Sequence, residues 1–356
     1  MSLKFKFYNK RISGVLTVLP QKEVSFDEEM ANYNFSSAQS IKLKLAMGYN
    51  KHRIVEESTN ISDMCIFGLN YLFDNQLLKK EDISVLILVT QSPEHFMPPT
   101  SNIIQGKLGL NTNVLCLDIC QGCAGFEIGL IEAYMLLDQA SINKIVLMNA
   151  DVLSRKVSRR DRNSFPLIGD AACITVVERS TIPTTINAIV SMDGKDAYVL
   201  QIPAGGFRMP SSLKTAEMHG DAAGNFRSLD NLVMEGDRVF SFVQTTVPPM
   251  IEELLILSDK TKEEIDWYLF HQPNKFMLQK LADKIGVSRT KMPANIVENF
   301  GNASSATVPT NICFNLAEQA HLEIYEVCFA GFGVGLTWSA IQQQLGKLMF
   351  NKIIYY

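Results

Sequence analysis

The sequence has no strong excess of either charge and no long apolar run. Its 356 residues carry 33 Lys and Arg against 37 Asp and Glu, a formal net charge of −4, whereas a protein whose main partner is nucleic acid needs a surplus of positive charge. No apolar run approaches the roughly 18–20 residues that a membrane-spanning helix requires. We therefore expect neither nucleic acid nor a membrane as a partner. With 47% hydrophobic and 20% charged residues, the composition is that of a soluble globular protein.

The residue spacings that bind metals are also missing, as is a secretory leader. The five histidines are scattered, with no HExxH motif and no pair of CxxC motifs, so we expect no metal site. The N-terminal apolar run, residues 15–19, is interrupted by Thr17 and closed by Pro20, which argues against a signal peptide. The seven cysteines are an odd number and fall mostly in apolar runs, as reduced core thiols do. These features predict a cytoplasmic protein.

What the sequence does contain is a cysteine, Cys123, at a predicted strand-to-helix turn. Residues 114–117 form a short apolar run that predicts a buried strand, and residues 124–140 are apolar at helical spacing. Gly122 and Gly125 allow a tight turn between them. At the N-terminus of a helix, unpaired backbone N–H groups and the helix dipole favour a thiolate. A buried structural cysteine is the alternative interpretation.

Strand and helix patterns recur in two successive halves of the chain. Apolar runs predict strands at residues 83–90, 144–148, 171–177, 186–191, 265–270 and 326–330, and helical spacing predicts helices at residues 41–47, 61–73, 102–108, 237–257, 274–285 and 303–320. The basic run at residues 154–162 predicts an exposed loop. The repetition suggests an internal duplication, with one domain over residues 1–180 and a second over residues 181–356.

Two further polar residues lie where chain turns would expose them. His271 follows a predicted strand and precedes a turn into a helix, and Asn302 lies between Gly301 and another predicted helix. Taken singly, His271 also fits a half-buried histidine that closes a strand, and Asn302 also fits a helix cap. A single cysteine with a distant His and Asn is, however, an arrangement used for covalent acyl chemistry.

Four motifs in this order resemble the β-ketoacyl-acyl-carrier-protein synthase III family. They are GCAGF at residues 122–126, HQPN at residues 271–274, GNAS at residues 301–304 and GFGVG at residues 331–335. The resemblance covers nearly the whole chain. It implies a thiolase-like α/β fold of five layers, built from two βαβαβαβ halves related by a pseudo-twofold axis, and usually a homodimer.

The resemblance also implies a role for each motif residue. Cys123 would attack an acyl thioester and hold the acyl group, and His271 and Asn302 would donate hydrogen bonds to the carbonyl of a malonyl thioester while carbon dioxide leaves. The enolate would then attack the acyl-cysteine to give a β-ketoacyl thioester, in fatty acid synthesis or a specialised pathway.

Backbone groups and one aromatic side chain complete the implied site. The N–H groups of Cys123 and of the turn around Gly333 and Val334 would form the oxyanion hole. Phe332 would flank the thiol and favour decarboxylation. No cofactor is implied, since the substrates are thioesters of coenzyme A or of the phosphopantetheine of an acyl-carrier protein.

The sequence departs from the family where coenzyme A is bound. Residues 41–48 lack the Trp and Arg that usually hold the adenine, and Phe276 stands where an arginine is expected. Arg162 and Asn274 match other substrate or coenzyme A contacts, and Met97 stands where a partner-chain Phe commonly closes the acyl pocket. We therefore hypothesise that an acyl-carrier protein supplies the acyl group.

The helix after His271 carries basic residues suited to such a carrier. Lys275, Lys280 and Lys284 would attract an acidic acyl-carrier protein, although a solvated helix face is the simpler interpretation.

Three other functions fit part of the pattern. An acyltransferase could pass the Cys123-bound acyl group to a hydroxyl or amine instead of forming a carbon–carbon bond. A thiol–disulfide oxidoreductase could use Cys120 and Cys123, which form a CxxC motif. A non-catalytic subunit would leave the three polar residues unexplained.

Overall fold

Two mixed β-sheets form the frame of the protein, and the computed structural model describes residues 2–356. Within these residues the strands are β1 (Leu3–Tyr8), β2 (Lys10–Leu19), β3 (Glu23–Ser25), β4 (Lys51–Arg53), β5 (Ile83–Val89), β6 (Leu115–Ile119), β7 (Lys144–Asp151), β8 (Ala171–Arg179), β9 (Thr185–Met192), β10 (Leu200–Gln201), β11 (His219–Gly220), β12 (Phe226–Arg227), β13 (Val233–Met234), β14 (Trp267–Phe270), β15 (Ile324–Gly333), β16 (Thr337–Gly346) and β17 (Phe350–Tyr355).

The helices pack on the two sheets and connect their strands. They are α1 (Phe26–Glu29), α2 (Ser37–Met47), α3 (Ile61–Asp74), α4 (Thr100–Lys107), α5 (Gly125–Leu136), α6 (Gly236–Ser258), α7 (Lys275–Ile285), α8 (Ile296–Phe300), α9 (Thr307–Asn311) and α10 (Gln319–Leu322). No helix within residues 2–356 is both long enough and apolar enough to span a bilayer.

The strand order places one end of the chain in each sheet. The first sheet has the order β17-β2-β8-β7-β5-β6 and the second has the order β1-β9-β16-β15-β14. In the first sheet β5 is parallel to β6 and to β7, while β8 is antiparallel to β7 and to β2. The predicted boundary near Ser180 falls between β8 and β9, but β1 belongs to the second sheet and β17 to the first. The division at residue 180 therefore stays a prediction.

Helices and sheets stack in five layers. Helices α3 and α4 cover the outer face of the first sheet, α5 and α9 lie between the sheets, and α6 and α7 cover the outer face of the second. The central helix α5 is buried on almost all sides. This burial explains why apolar residues such as Phe126 and Leu130, and the aromatic Tyr134, occupy most of its circumference. Burial of each large apolar side chain contributes roughly 1.5–3 kcal/mol to the stability of the fold. The helix layer that follows Cys123 is therefore tightly packed.

Residues at its two ends determine the bounds of helix α2. It extends further than the predicted residues 41–47, because Ser36 and Gln39 form a capping box at its start. Its end is where the sequence predicts it, at Gly48, whose φ of 75° is the left-handed conformation that favours glycine.

Two expectations were wrong for reasons of tertiary structure. The predicted buried strand, β6, is the edge of the first sheet, and Leu115 within it is 43% exposed. The basic run at residues 154–162 is not an exposed loop throughout, because Val157, Ser158, Asp161 and Arg162 are buried. Residues 223–227 cover part of this run through contacts with Arg160 and Arg162, and neither effect can be read from local pattern.

Candidate active site

One cavity of about 520 Å³ joins the three residues singled out from the sequence, Cys123, His271 and Asn302. Each reaches it from a chain turn: Cys123 lies between β6 and α5, His271 directly follows β14, and Asn302 follows α8. The rest of its wall comprises Leu43, Met47, Tyr49, Arg162, Asn163, Leu167, Leu200, Met234, Gly236, Asp237, Val239, Phe240, Val243, Pro273, Asn274, Phe276, Met277, Phe332 and Gly333. The cavity is therefore polar at its base and mostly apolar along its walls.

Cys123 is held against the glycine-rich turn. Its sulfur is faced by the backbone N–H groups of Val334 and of Cys123 itself, and by the Ser304 hydroxyl. A Cβ atom at Gly333 would lie 2.7 Å from Sγ, so only glycine leaves room for the thiol. Burial raises the pKa of Cys123 to about 11, because it outweighs the opposing effect of these nearby polar groups. The thiolate that the helix N-terminus was expected to favour is thus not the resting form at neutral pH.

His271 is a buried, neutral imidazole. Burial lowers the pKa of His271 to about 3, so the ring carries one proton at any physiological pH. Its Nδ1 lies 2.8 Å from the Thr307 hydroxyl, which is also 2.8 Å from the carbonyl oxygen of Ser304. A neutral imidazole can polarise a carbonyl by hydrogen bonding without bringing a full charge into the site.

Asn302 is oriented by its own backbone surroundings. Its Oδ1 accepts a hydrogen bond from the Ser304 N–H at 2.9 Å, which fixes the amide so that Nδ2, with two N–H groups, is the end available to a ligand. Its backbone N–H donates to the Leu167 carbonyl at 2.7 Å, and its carbonyl accepts from the Gly169 N–H at 3.1 Å. Hydrogen bonds therefore hold the main chain of Asn302 in place and leave its Nδ2 available to donate to a ligand.

The aromatic residue between these groups is Phe332, at the end of β15. It is buried, and its ring lies edge-on to His271 with the ring centroids 5.9 Å apart. It also forms part of the cavity wall beside Gly333. The Phe332 side chain therefore forms an apolar wall at the base of the cavity, next to the three polar side chains.

The predicted substrate contacts are distributed unevenly. Arg162 lines the cavity, but Nη1 donates to the Ala223 carbonyl at 2.6 Å and to Asn225 Oδ1 at 3.1 Å. Its guanidinium also lies 4.0 Å from the centroid of the Phe35 ring. Asn274 lines the cavity and caps α7, accepting a hydrogen bond from the backbone of the helix. These two residues share the cavity with Cys123, and internal hydrogen bonds engage Nη1 of Arg162 and Oδ1 of Asn274.

Four other predicted residues lie outside the cavity wall. Met97, on the loop before α4, is 79% exposed. On α7, Lys275 forms an ion pair with Glu298 at 2.9 Å, whereas Lys280 and Lys284 are exposed. The basic patch is thus reduced to Lys280 and Lys284, and Nζ of Lys280 lies 5.9 Å from the centroid of the Phe276 ring in the cavity wall.

Sequence reasoning missed the wall supplied by α6 and read residues 41–48, at the end of α2, only as a stretch without the usual coenzyme A contacts. Leu43 and Met47 of α2 face Phe276 of α7 across the mouth, and Phe240 of α6 stacks on Phe276 with the ring centroids 5.8 Å apart. Apolar spacing alone could not distinguish these residues from core. The sequence analysis also gave no separate role to Ser304 of the GNAS motif. Its φ of 54° is rare for a residue with a side chain, and such backbone conformations cluster at functional sites.

Comparison with known proteins first defines the class. The structure superimposes on a 3-oxoacyl-(acyl-carrier protein) synthase from Burkholderia xenovorans with a TM-score of 0.92 and 29% identity, covering 100% of this chain and 99% of that one. Both belong to the thiolase-like condensing enzymes, so the predicted fold class is confirmed.

Sequence comparison then gives the family. Residues 117–194 match the family model described as 3-Oxoacyl-[acyl-carrier-protein (ACP)] synthase III, and residues 257–344 match the model of its C-terminal part. A β-ketoacyl-[acyl-carrier-protein] synthase III from Streptococcus suis is 30% identical over 94% of this chain and 98% of its own length. A putative 3-oxoacyl-[acyl-carrier-protein] synthase 3 from Campylobacter jejuni is 29% identical over 99% of both. The chain belongs to the β-ketoacyl-acyl-carrier-protein synthase III family.

The enzyme is accordingly an acyltransferase that condenses a cysteine-bound acyl group with a malonyl thioester and releases carbon dioxide, the chemistry of fatty acid biosynthesis. The family assignment gives no support to a disulfide exchange at Cys120 and Cys123.

Proposed function

We propose that Cys123 is the nucleophile and that His271 and Asn302 are the catalytic hydrogen-bond donors. The observation that carries this proposal is the single cavity lined by all three side chains. In the first step the Cys123 sulfur attacks the acyl thioester, its proton passes to the departing thiol, and a new thioester forms on Cys123. A resting thiol with a pKa of about 11 favours transfer of its proton in the same step that forms the C–S bond.

In the second step a malonyl thioester takes the place of the departed thiol. Its C–C bond to the carboxylate breaks, carbon dioxide leaves, and the electron pair forms an enolate. The available Nδ2 of Asn302 and the neutral ring of His271 are suited to donate to the enolate oxygen. The enolate carbon then attacks the acyl carbonyl, the bond to Cys123 breaks, and the sulfur regains a proton.

The oxyanion of both tetrahedral intermediates requires donors next to the sulfur. The backbone N–H groups of Cys123 and Val334 face the sulfur, which supports their assignment as the oxyanion hole, with Gly333 keeping the approach open. The buried ring of Phe332 supports a role in excluding water from the malonyl carboxylate, since a carboxylate that loses solvation is destabilised relative to carbon dioxide.

An acyl-carrier protein is the proposed source of the acyl group as well as of the malonyl group. The apolar mouth formed by Leu43, Met47 and Phe276 offers little to a nucleotide phosphate. Lys280 and Lys284 are exposed on α7, the helix that also carries Phe276, where they can attract an acidic carrier. We propose no cofactor and no metal.

We also propose that the enzyme is a cytoplasmic homodimer. The edge strand β6 carries an exposed leucine, Leu115, and Phe96 and Met97 on the neighbouring loop are 72% and 79% exposed. An unpaired strand edge is a template for pairing with a second copy, and the resemblance to the family implies that Met97 would then help to close the acyl pocket of the partner. The free thiols at all seven cysteines are compatible with a reducing compartment.

The direct test is intact mass spectrometry after incubation with acyl-carrier-protein and coenzyme A thioesters of increasing chain length. We expect an adduct of the acyl mass on the wild type and none on Cys123→Ala. Addition of malonyl-acyl-carrier protein should discharge the adduct and yield a β-ketoacyl product. An adduct that persists on Cys123→Ala would disprove the assignment of the nucleophile, and faster acylation from coenzyme A would disprove the proposed donor.

A further inference from the structure

A buried ion pair lies next to the backbone segments that hold Asn302. His52 of β4 has Nε2 2.9 Å from Oε1 of Glu29 in α1, and the two side chains are 2% and 5% exposed. On the other side of the ring, Nδ1 contacts the backbone carbonyl oxygen of Ile168. Neither residue lines the cavity, and neither is part of the four motifs, so the mechanism above gives the pair no role.

The contacts of His52 define its protonation. A carbonyl oxygen cannot donate a hydrogen bond, so Nδ1 carries a proton, and a carboxylate accepts a second hydrogen bond from Nε2. Burial lowers the pKa of His52, but the hydrogen bonds and charge of Glu29, with the Ile168 carbonyl and Asp170, outweigh it and leave the pKa raised. The ring is thus a double donor with its orientation fixed from both sides.

Ile168 is the centre of the segment that holds Asn302. The two residues form an isolated parallel bridge, in which Leu167 accepts from the Asn302 N–H and Gly169 donates to the Asn302 carbonyl. The His52 ring therefore contacts the carbonyl of Ile168, the middle residue of the segment 167–169. The residues on either side of it hydrogen-bond to the backbone of Asn302.

Close packing couples the same elements a second time. A Cβ atom at Gly169 would lie 2.2 Å from the Phe300 carbonyl oxygen, and one at Gly301 would lie 2.8 Å from Cβ of His52. Gly301 also has a φ of 83°, which favours glycine. His52 therefore packs closely against Gly301, in the turn that immediately precedes Asn302. A shift of His52 is consequently transmitted to this turn.

We propose that Glu29 and His52 are positioning residues that hold the Asn302 amide in place for the condensation step, acting through the Ile168 carbonyl. The inference rests on the proposed role of Asn302. It predicts an effect confined to one half of the reaction, because acylation of Cys123 does not use the Asn302 amide, whereas decarboxylation and carbon–carbon bond formation do.

Two substitutions of His52 test the proposal. His52→Phe keeps a ring but removes both donors, whereas His52→Asn breaks the pair with Glu29 and keeps an amide N–H near the position of Nδ1. We expect both variants to acylate Cys123 at the wild-type rate. Condensation from the isolated acyl-enzyme should fall about a hundredfold in His52→Phe, the cost of a misplacement of about 1 Å, and much less in His52→Asn. Single-turnover mass spectrometry measures the two steps separately.

The controls separate positioning from general damage. His321 also has a ring nitrogen 2.7 Å from a backbone carbonyl, that of Leu348, so His321→Phe should change neither step. Should His52→Phe not fold, Glu29→Leu keeps His52 but removes the acceptor of Nε2, and we expect a loss confined to condensation and similar to that of His52→Asn.

Three results would overturn the proposal: wild-type condensation in His52→Phe, equal losses in His52→Phe and His52→Asn, or a variant in which both steps fall together. If the wild-type protein takes up no acyl group, the proposed function itself fails and this inference fails with it.

Discussion

Nδ1 of His271 and the Thr307 hydroxyl lie 2.8 Å apart, and this contact determines which ring nitrogen can act in the cavity. The hydroxyl has one proton, which it can give either to the Ser304 carbonyl at 2.8 Å or to Nδ1. Only in the second arrangement does Nε2 carry the proton needed to donate to a thioester carbonyl. The Ser304 carbonyl keeps a partner in that case, because the Thr307 N–H also donates to it.

We therefore expect Thr307→Val to slow condensation while Cys123 is still acylated. Valine has a similar shape but cannot donate to Nδ1, so the ring loses its preference for the active tautomer. Thr307→Ser keeps the hydroxyl and should restore most of the rate. Single-turnover measurement of both steps in the three proteins checks this, and a serine variant as slow as the valine variant would contradict it.

The raised pKa of Cys123 predicts slow alkylation at neutral pH. With a pKa of about 11, only about a thousandth of the thiol is ionised at pH 8, and the rate should rise tenfold per pH unit up to about pH 10. Iodoacetamide labelling followed by mass spectrometry of the Cys123 peptide measures this, in a Cys120→Ser background because Cys120 is exposed. Rapid labelling with an inflection below pH 8 would show instead that the helix N-terminus stabilises the thiolate.

Gly333→Ala should abolish acylation. The new methyl group would lie 2.7 Å from Sγ of Cys123, so either the thiol or the N–H-bearing turn must move. Gly106→Ala, on the exposed side of α4 with nothing within 4 Å of its added Cβ, is the matched control. It should keep full activity and raise the free energy of unfolding by about 0.5–1 kcal/mol. Normal adduct formation by Gly333→Ala would show that the turn is not tightly fitted to the nucleophile.

Charge reversal at Lys280 and Lys284 should weaken the use of carrier-bound substrates. We expect Lys280→Glu and Lys284→Glu each to raise KM for malonyl-acyl-carrier protein about two- to fivefold, the effect of an exposed charge pair, and the effect should shrink at high salt. A small malonyl thioester without a carrier should show no change. Lys79→Glu, which changes another exposed lysine, is the control; an equal effect there would mean that only net charge matters.

The extent to which the sequence predicted the site depends on how local each signal is. Cys123 and His271 each lie at a turn after an apolar run, and Asn302 lies between Gly301 and a predicted helix, so their positions could be predicted, and the fold brings them to one cavity. The environment of Arg162 could not, because its partners Asn225 and Phe35 lie far away in the sequence. The roles of Thr307 and of the Glu29–His52 pair likewise depend on contacts between distant segments. The exposure of β6 depends on its place at the edge of a sheet, which periodicity does not report.

The exchange of terminal strands has a consequence for how the chain folds. Strand β17, residues 350–355, is the parallel partner of β2 at residues 10–19, so the first sheet cannot be completed before two segments far apart in the sequence have met. Until then the apolar strand β2 presents an open edge, and contacts of such long sequence separation form slowly. Removing residues 350–355 would leave that edge of β2 permanently unpaired, and an unpaired strand edge is a template for aggregation.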